Sequence, residues 1–167
     1  FYDKFYIPNN ATLSIAGDID IDKTKELIAA YFGEIPRGAD VVQPTVQEPA
    51  LGGEKVAVIY DNIQLPAMMM GYRMPPQTSD DAYALQMTSS VLSGGPSSRM
   101  YKRLVDEDQT ALQVFAFPFS LEQGGAFITF SLANAGKTID DMTPGLEEEI
   151  EKLQNELISE REFQKIQ

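Results

Sequence analysis

Apolar positions along this chain switch between a two-residue and a helical period. Alternation marks Ala11 to Ala16, "ATLSIA", as a short strand that ends at Gly17-Asp18. Asp20 is then placed to cap a helix. Leu27, Ile28, Tyr31 and Phe32 follow at helical spacing, and Gly33 is placed to stop it. From Pro36 to Glu54 the period is lost, and three prolines and three glycines predict an extended connection. Two strand patterns follow, Lys55 to Asp61 ("KVAVIYD") and Ala67 to Arg73 ("AMMMGYR"), separated by Asn62 to Pro66 and stopped by Pro75-Pro76. Thr78 or Ser79 can cap a helix running to about Leu92, with Ala84, Leu85, Met87, Val91 and Leu92 on its apolar side. After "SGGPSSR" (Ser93 to Arg99), Ser97 or Ser98 is placed to cap another helix. Met100, Tyr101, Leu104 and Val105 form its inner stripe, with Lys102 and Arg103 outward.

Leu112 to Phe119 and Ala126 to Ala133 read as two more strands, and Gly124-Gly125 between them predicts a hairpin. Thr143-Pro144 reads as a helix start with Pro at its first position. Leu146, Ile150, Leu153 and Leu157 then share one face. "SERE" (Ser159 to Glu162) has capping-box spacing and opens a last helix that is barely started at Gln167. Strands and helices in this order predict an α+β domain.

Composition narrows the chemistry. The chain has 167 residues and 43% hydrophobic content, enough for one ordinary core. No apolar run has the length needed to cross a bilayer. It opens at Phe1 without an initiator Met, which we read as a piece cut from something longer. A net charge of −12 argues against nucleic acid as a partner, because phosphate contacts need clustered Lys and Arg. Cysteine is absent, which removes disulfides and thiolate chemistry and fits cytoplasm or periplasm equally. Histidine is absent too. That removes the usual zinc ligands, the Ser-His-Asp triad and the commonest general base near neutral pH.

Each stretch that could carry chemistry also has a plain structural explanation. SGGPSSR lacks the Lys of a P-loop, follows a helix pattern where a dinucleotide fingerprint follows a strand, and has no histidine partner for a nucleophile elbow. A helix–turn–helix connection explains it, and nucleotide binding with Mg²⁺ is a remote alternative. The Met68-Met69-Met70 run is expected to be a strand buried on both faces rather than a soft-ligand site. Glu147 to Glu151 is expected to be a solvated helix face, since consecutive helical residues do not converge on one ion. Asn10-Ala11-Thr12 matches a glycosylation sequon, a short pattern with frequent false matches. Phe1, Tyr2, Phe5 and Tyr6 form an aromatic cluster that could meet a partner or pack on an upstream region.

Two stretches carry a family resemblance. "FYDKFYIPNNATLSIAGDIDIDKTKELIAAYFGEIPRG" (Phe1 to Gly38) resembles the middle of peptidase family M16, the pitrilysin, insulin-degrading enzyme and mitochondrial processing peptidase group. The matching points are Tyr6, Pro8 and Asn10, the Gly17-Asp18 turn, and Tyr31-Phe32-Gly33 with Ile35-Pro36. "LPAMMMGYRMPPQTSDDAYALQMTSSVLSGGPSSRMYKRLVDE" (Leu65 to Glu107) resembles the start of the second M16 homology domain. The resemblance implies a two-layer fold, a largely antiparallel sheet with helices packed on one face, of the type shared with LuxS metallohydrolases. It divides the chain into residues 1–38 (end of a preceding M16 domain), 39–54 (linker) and 55–167 (second, inactive M16 domain, truncated at its C-terminus). The family's zinc site, an inverted H-x-x-E-H with a distal Glu, lies upstream of the part that Phe1 resembles. No zinc ligand carries over, and zinc is expected in a missing upstream domain. The family also uses an Arg and a Tyr seven residues apart to hold substrate. Val105 and Leu112 stand at those positions and can donate no hydrogen bond.

The resemblance thus implies a chain with no catalytic, cofactor-binding or metal-binding residue of its own, one wall of a peptide-enclosing chamber in a bacterial zinc metallopeptidase. Its implied partners are the parent's zinc-binding domain, peptide substrate, and an M16 partner subunit or a second copy. The alternative is a non-catalytic scaffold subunit of a heteromeric M16-like complex. The expected compartment is the bacterial periplasm or cell envelope, with cytoplasm the alternative.

Overall fold

A computed structural model describes residues 1–42 and 48–166, so positions 43–47 of the expected connection and Gln167 lie outside the described residues. The described chain forms two compact units, Phe1–Ala57 and Val58–Gln167.

In the first unit a short helix α1 (Tyr2–Phe5) and a single 3-10 turn at Pro8–Asn10 precede helix α2 (Ile21–Phe32). The start of α2 is the expected one: the Asp20 carboxylate accepts from the Lys23 N–H at 2.9 Å. Gly33 ends the helix, its N–H donating to the Ala29 carbonyl, in a right-handed conformation. Asn9 ties the start of the unit to the segment that follows α2. Its Oδ1 accepts from the Gly38 N–H at 3.0 Å, and its amide donates to the Ala39 carbonyl at 3.4 Å. Gly38 is needed there, because a Cβ would stand 2.7 Å from the Ile7 methyls. The expected strand at Ala11–Ala16 does not form. Alternation shapes a strand, but a ladder needs a neighbour to supply its hydrogen bonds, and none of the described residues does so.

The second unit holds a three-stranded antiparallel sheet in the order β1-β3-β2, with β1 at Ala67–Met74, β2 at Ala111–Ser120 and β3 at Gly125–Ala133. The predicted β2–β3 hairpin is present, closed by the Leu121 N–H on the Gly124 carbonyl at 2.8 Å. The α+β class and the antiparallel sheet are thus as expected. Helices α3 (Asp80–Ser93) and α4 (Ile139–Asn155), with a π-helical segment at Tyr101–Glu107, cover one face. Leu92, Met100, Leu104, Val114, Phe127, Met142 and Leu146 make the core. A last helix, α5 (Glu160–Ile166), follows the expected capping box, with the Glu162 carboxylate accepting from both the N–H and the hydroxyl of Ser159 at 2.9 Å. Among the described residues no helix is long and apolar enough to cross a membrane.

Several local expectations are corrected. Lys55–Asp61 enters no ladder, and Val58, Ile59 and Tyr60 are 70%, 86% and 93% exposed. The methionine strand is covered on one face only: Met68 and Met70 are half-buried, whereas Met69 is 67% exposed. Ser79 caps α3 as expected, but Ala84 faces solvent and Ser89 is buried in its place. Neither Ser97 nor Ser98 caps the next helix. The Ser98 hydroxyl donates backward to the Gly95 carbonyl at 2.6 Å. Arg103 is half-buried rather than outward. Helix α4 starts at Ile139, five residues before Pro144, because Thr138 and Asp141 form a complete capping box. Pro144 removes one helical hydrogen bond, and the full burial of Met142 and Leu146 on either side outweighs that loss. The helix stops at Asn155, so Leu157 leaves the shared face and is 98% exposed.

Candidate functional site

The SGGPSSR loop closes α3 and uses up its own polar side chains. Gly94 and Gly95 donate their N–H groups back to Ser90 and Ser93 at 2.9 and 2.8 Å, and Gly95 sits at φ +109°, where an L side chain is strained. Ser93 reaches the sheet: its hydroxyl accepts from the Ala116 N–H at 2.7 Å and donates to the Ala116 carbonyl at 3.1 Å. Ser97 accepts from the Lys165 ammonium. Arg99 forms a two-pronged pair with Glu162, Nε to Oε1 at 2.7 Å and a terminal nitrogen to Oε2 at 3.0 Å. Arg99 and the Ser159 donors lower the Glu162 carboxyl to a pKa of about 2, and the same pair raises that of Arg99. The loop is therefore an anchor for α5. A phosphate cradle needs donors facing outward, and these side chains face the protein.

The acidic stretch of α4 is likewise occupied by cations. Lys152 holds Glu148 at 2.9 Å and Glu149 at 2.7 Å, while Arg103 bridges Asp108 at 3.0 Å and Glu148 at 3.3 Å. These contacts lower the Glu148 pKa, chiefly through Lys152, and raise that of Lys152, chiefly through Glu149. Glu149 is buried, which corrects the reading of a wholly solvated face. Among the described residues no three His, Cys, Asp or Glu side chains stand together as a metal site. With no imidazole or thiolate in the chain and these acids already paired, the donor set does not fit zinc. Val105 is half-buried on the π-helical segment, and Leu112 sits half-exposed at a bulge in β2. Neither offers a donor.

The feature that pattern reading missed is the uncovered face of the sheet. Phe115, Phe117 and Phe119 point away from the helices and are 48%, 42% and 54% exposed. The register puts Phe130, Ile128 and Ala126 beside them on β3, and Met69 and Gly71 beyond on β1. Phe115 and Phe130 stack with ring centres 6.3 Å apart. The signal was present: phenylalanine at every second position on one face of β2, with apolar Val114 and Ala116 on the other. In the first unit the aromatic cluster forms as a local stack, Tyr2 on Tyr6 at 4.6 Å and Phe1 on Phe5 at 4.8 Å. Asn10 of the sequon is exposed and donates to the Phe5 carbonyl at 2.8 Å.

A family model described as the peptidase M16 inactive domain matches residues 1–167. This chain belongs to peptidase family M16. The M16 chain is 27% identical over 169 residues to a Helicobacter pylori zinc protease named PqqE, covering 99% of this chain and 38% of that protein. An uncharacterized zinc protease of Mycobacterium leprae is 23% identical over 144 residues, covering 85% of the M16 chain and 32% of its own length. Among solved structures, a protease from Helicobacter pylori superposes with a TM-score of 0.82 at 28% identity, over 98% of the M16 chain and 40% of that chain. A peptidase M16 inactive domain from Pseudomonas fluorescens shares the fold at TM-score 0.62 and 14% identity, over 90% and 36%. The M16 chain thus spans 32% to 40% of the length of these relatives.

Proposed function

We propose that this M16 inactive domain is a peptide-facing, non-catalytic wall within a longer bacterial zinc metallopeptidase. The observation that carries the reading is the open apolar sheet face of Phe115, Phe117, Phe119, Ile128 and Phe130. A domain without imidazole or thiolate side chains still offers a broad apolar surface on which an extended peptide can lie. The relatives named zinc proteases support a zinc-holding domain elsewhere in the longer protein, and this chain neither binds zinc nor cleaves peptides by itself. Peptide substrate and a further M16 domain or subunit are its partners, and the cell envelope is its compartment. Residues 1–38 belong to the preceding domain, 39–54 to the linker and 55–167 to the inactive domain.

The test is a steady-state comparison in the longer protein of the wild type and Phe115→Ser/Phe117→Ser/Phe119→Ser. A several-fold rise in KM for a peptide, with zinc content and helix signal unchanged, supports the wall. An unchanged KM overturns it. A second reading, a scaffold subunit without catalysis, is favoured by Val105 and Leu112 standing where the family pattern has Arg and Tyr. A longer coding sequence without H-x-x-E-H decides for the scaffold.

A further inference from the structure

The run Met68-Met69-Met70 presents its three sulfurs to different surroundings. Side chains alternate across a strand, so Met68 and Met70 turn toward the helices and Met69 toward the open face. Met68 and Met70 are half-buried against the core, and the Met68 sulfur accepts from the Thr143 hydroxyl at 3.6 Å. Met74, Met100 and Met142 are 6%, 0% and 0% exposed, and Met87 is half-buried. All seven methionines are among the described residues, and Met69 alone is exposed, at 67%.

The backbone around Met69 keeps its thioether accessible. Its neighbours on the same face of β1 are Ala67 and Gly71, both too small to cover it. A Cβ on Gly71 would meet nothing within 4 Å, so that side is open space. Across the sheet the register sets Phe130 opposite Met69, and Phe130 stacks on Phe115. Met69, Phe130 and Phe115 thus form one row over the open face, with no polar side chain in it. The chain has no cysteine, so its thioethers are its only sulfur, and no thiolate competes with them for an oxidant.

We propose that Met69 is a peroxide-sensitive modification site, whose oxidation to the sulfoxide weakens the hold of the open face on peptide. The sulfur lone pair attacks one oxygen of hydrogen peroxide. The S–O bond forms as the O–O bond breaks, and the second oxygen leaves as water with both protons. Sulfur gives up two electrons, and the peroxide takes them. The product places a strong hydrogen-bond acceptor in a row whose side chains had none. A peptide side chain laid there must strip water from that oxygen without returning a hydrogen bond. The regulation rests on the peptide-facing reading above, whereas the selectivity for Met69 rests on exposure and chemistry alone.

A timed exposure of the longer protein to hydrogen peroxide tests both parts. Tandem mass spectrometry of the tryptic peptide 56–73, which carries Met68, Met69 and Met70, reads each sulfur separately. Met69 should be oxidised about 10-fold or more faster than its two neighbours. As it converts, KM for a peptide should rise about threefold or more, and methionine sulfoxide reductases with a dithiol should reverse the rise. Met69→Leu keeps an apolar side chain without the sulfur, so peroxide should no longer change KM, whatever value the variant starts from. Equal oxidation of the three methionines overturns the proposal, as does a peroxide effect of the same size in Met69→Leu. The Phe115→Ser/Phe117→Ser/Phe119→Ser protein separates this proposal from the reading beneath it. If that variant raises KM and selective oxidation of Met69 does not, only the present proposal fails. If neither changes KM, the peptide-facing wall fails and the regulation fails with it.

Discussion

Among the described residues the first unit has no buried residue, while the second buries twelve apolar side chains around one sheet. Both contain well-capped amphipathic helices. In α2 the cap, the stripe and the terminating Gly33 are all in place, yet Leu27, Tyr31 and Phe32 stay 48%, 76% and 54% exposed. In α4 the cap is a full box and the stripe meets a sheet, so Met142 and Leu146 are sealed. Local signals place a helix; a facing surface turns its stripe into a core.

The largest way to sharpen this contrast is a core truncation. Leu146→Ala should destabilise the second unit by about 2–5 kcal/mol in urea unfolding, because the site is closed on all sides by Leu104, Met142 and their neighbours. The matched change Leu27→Ala in α2 should stay within about 0.5 kcal/mol. Comparable losses at both positions would break the contrast.

Next comes the tie between the SGGPSSR loop and α5. Arg99→Ala should cost about 1 kcal/mol at neutral pH and speed exchange of the α5 amides, given a partly exposed two-pronged pair. The pH dependence has a definite sign. The folded Glu162 carboxyl sits at about 2, below its unfolded value of 4.5, so the native state binds fewer protons in between. The pair's contribution should be complete above about pH 4.5 and fade as pH falls toward 2. Urea midpoints of wild type and Glu162→Gln should converge across that window; a gap that persists at pH 2 would contradict the assignment. Asp20→Ala is a smaller, local change. It should remove about 0.5–1 kcal/mol from α2, read as lost helix signal without a shift in the second unit's midpoint.

Much of the architecture was legible in the sequence because its signals are short-range. Ser79, Asp20 and the Ser159–Glu162 box cap their helices where spacing put them, and the Gly124-Gly125 hairpin closes as read. The errors fall where a distant partner decides. Ala11–Ala16 and Lys55–Asp61 have the alternation of strands but no neighbour among the described residues. The role of SGGPSSR depends on Glu162 and Lys165, more than sixty positions away, which no local pattern exposes. Pro144 misled because proline marks a first turn by statistics, whereas the Thr138–Asp141 box upstream of it sets the start. The absence of imidazole and thiolate side chains needed no structure, since the composition states it. The phenylalanine face went unread because alternation reports two faces of a strand but not which one the helices leave open.

The most direct test of the wall itself is photo-crosslinking in the longer protein, with a benzophenone amino acid placed at Phe117 and, as control, at Tyr83 on the solvent side of α3. Tyr83 is 73% exposed, so accessibility alone favours the control. Illumination with a bound peptide should attach that peptide at Phe117 and leave Tyr83 unlabelled. Labelling at Phe117 no greater than at Tyr83 would contradict a peptide-facing sheet.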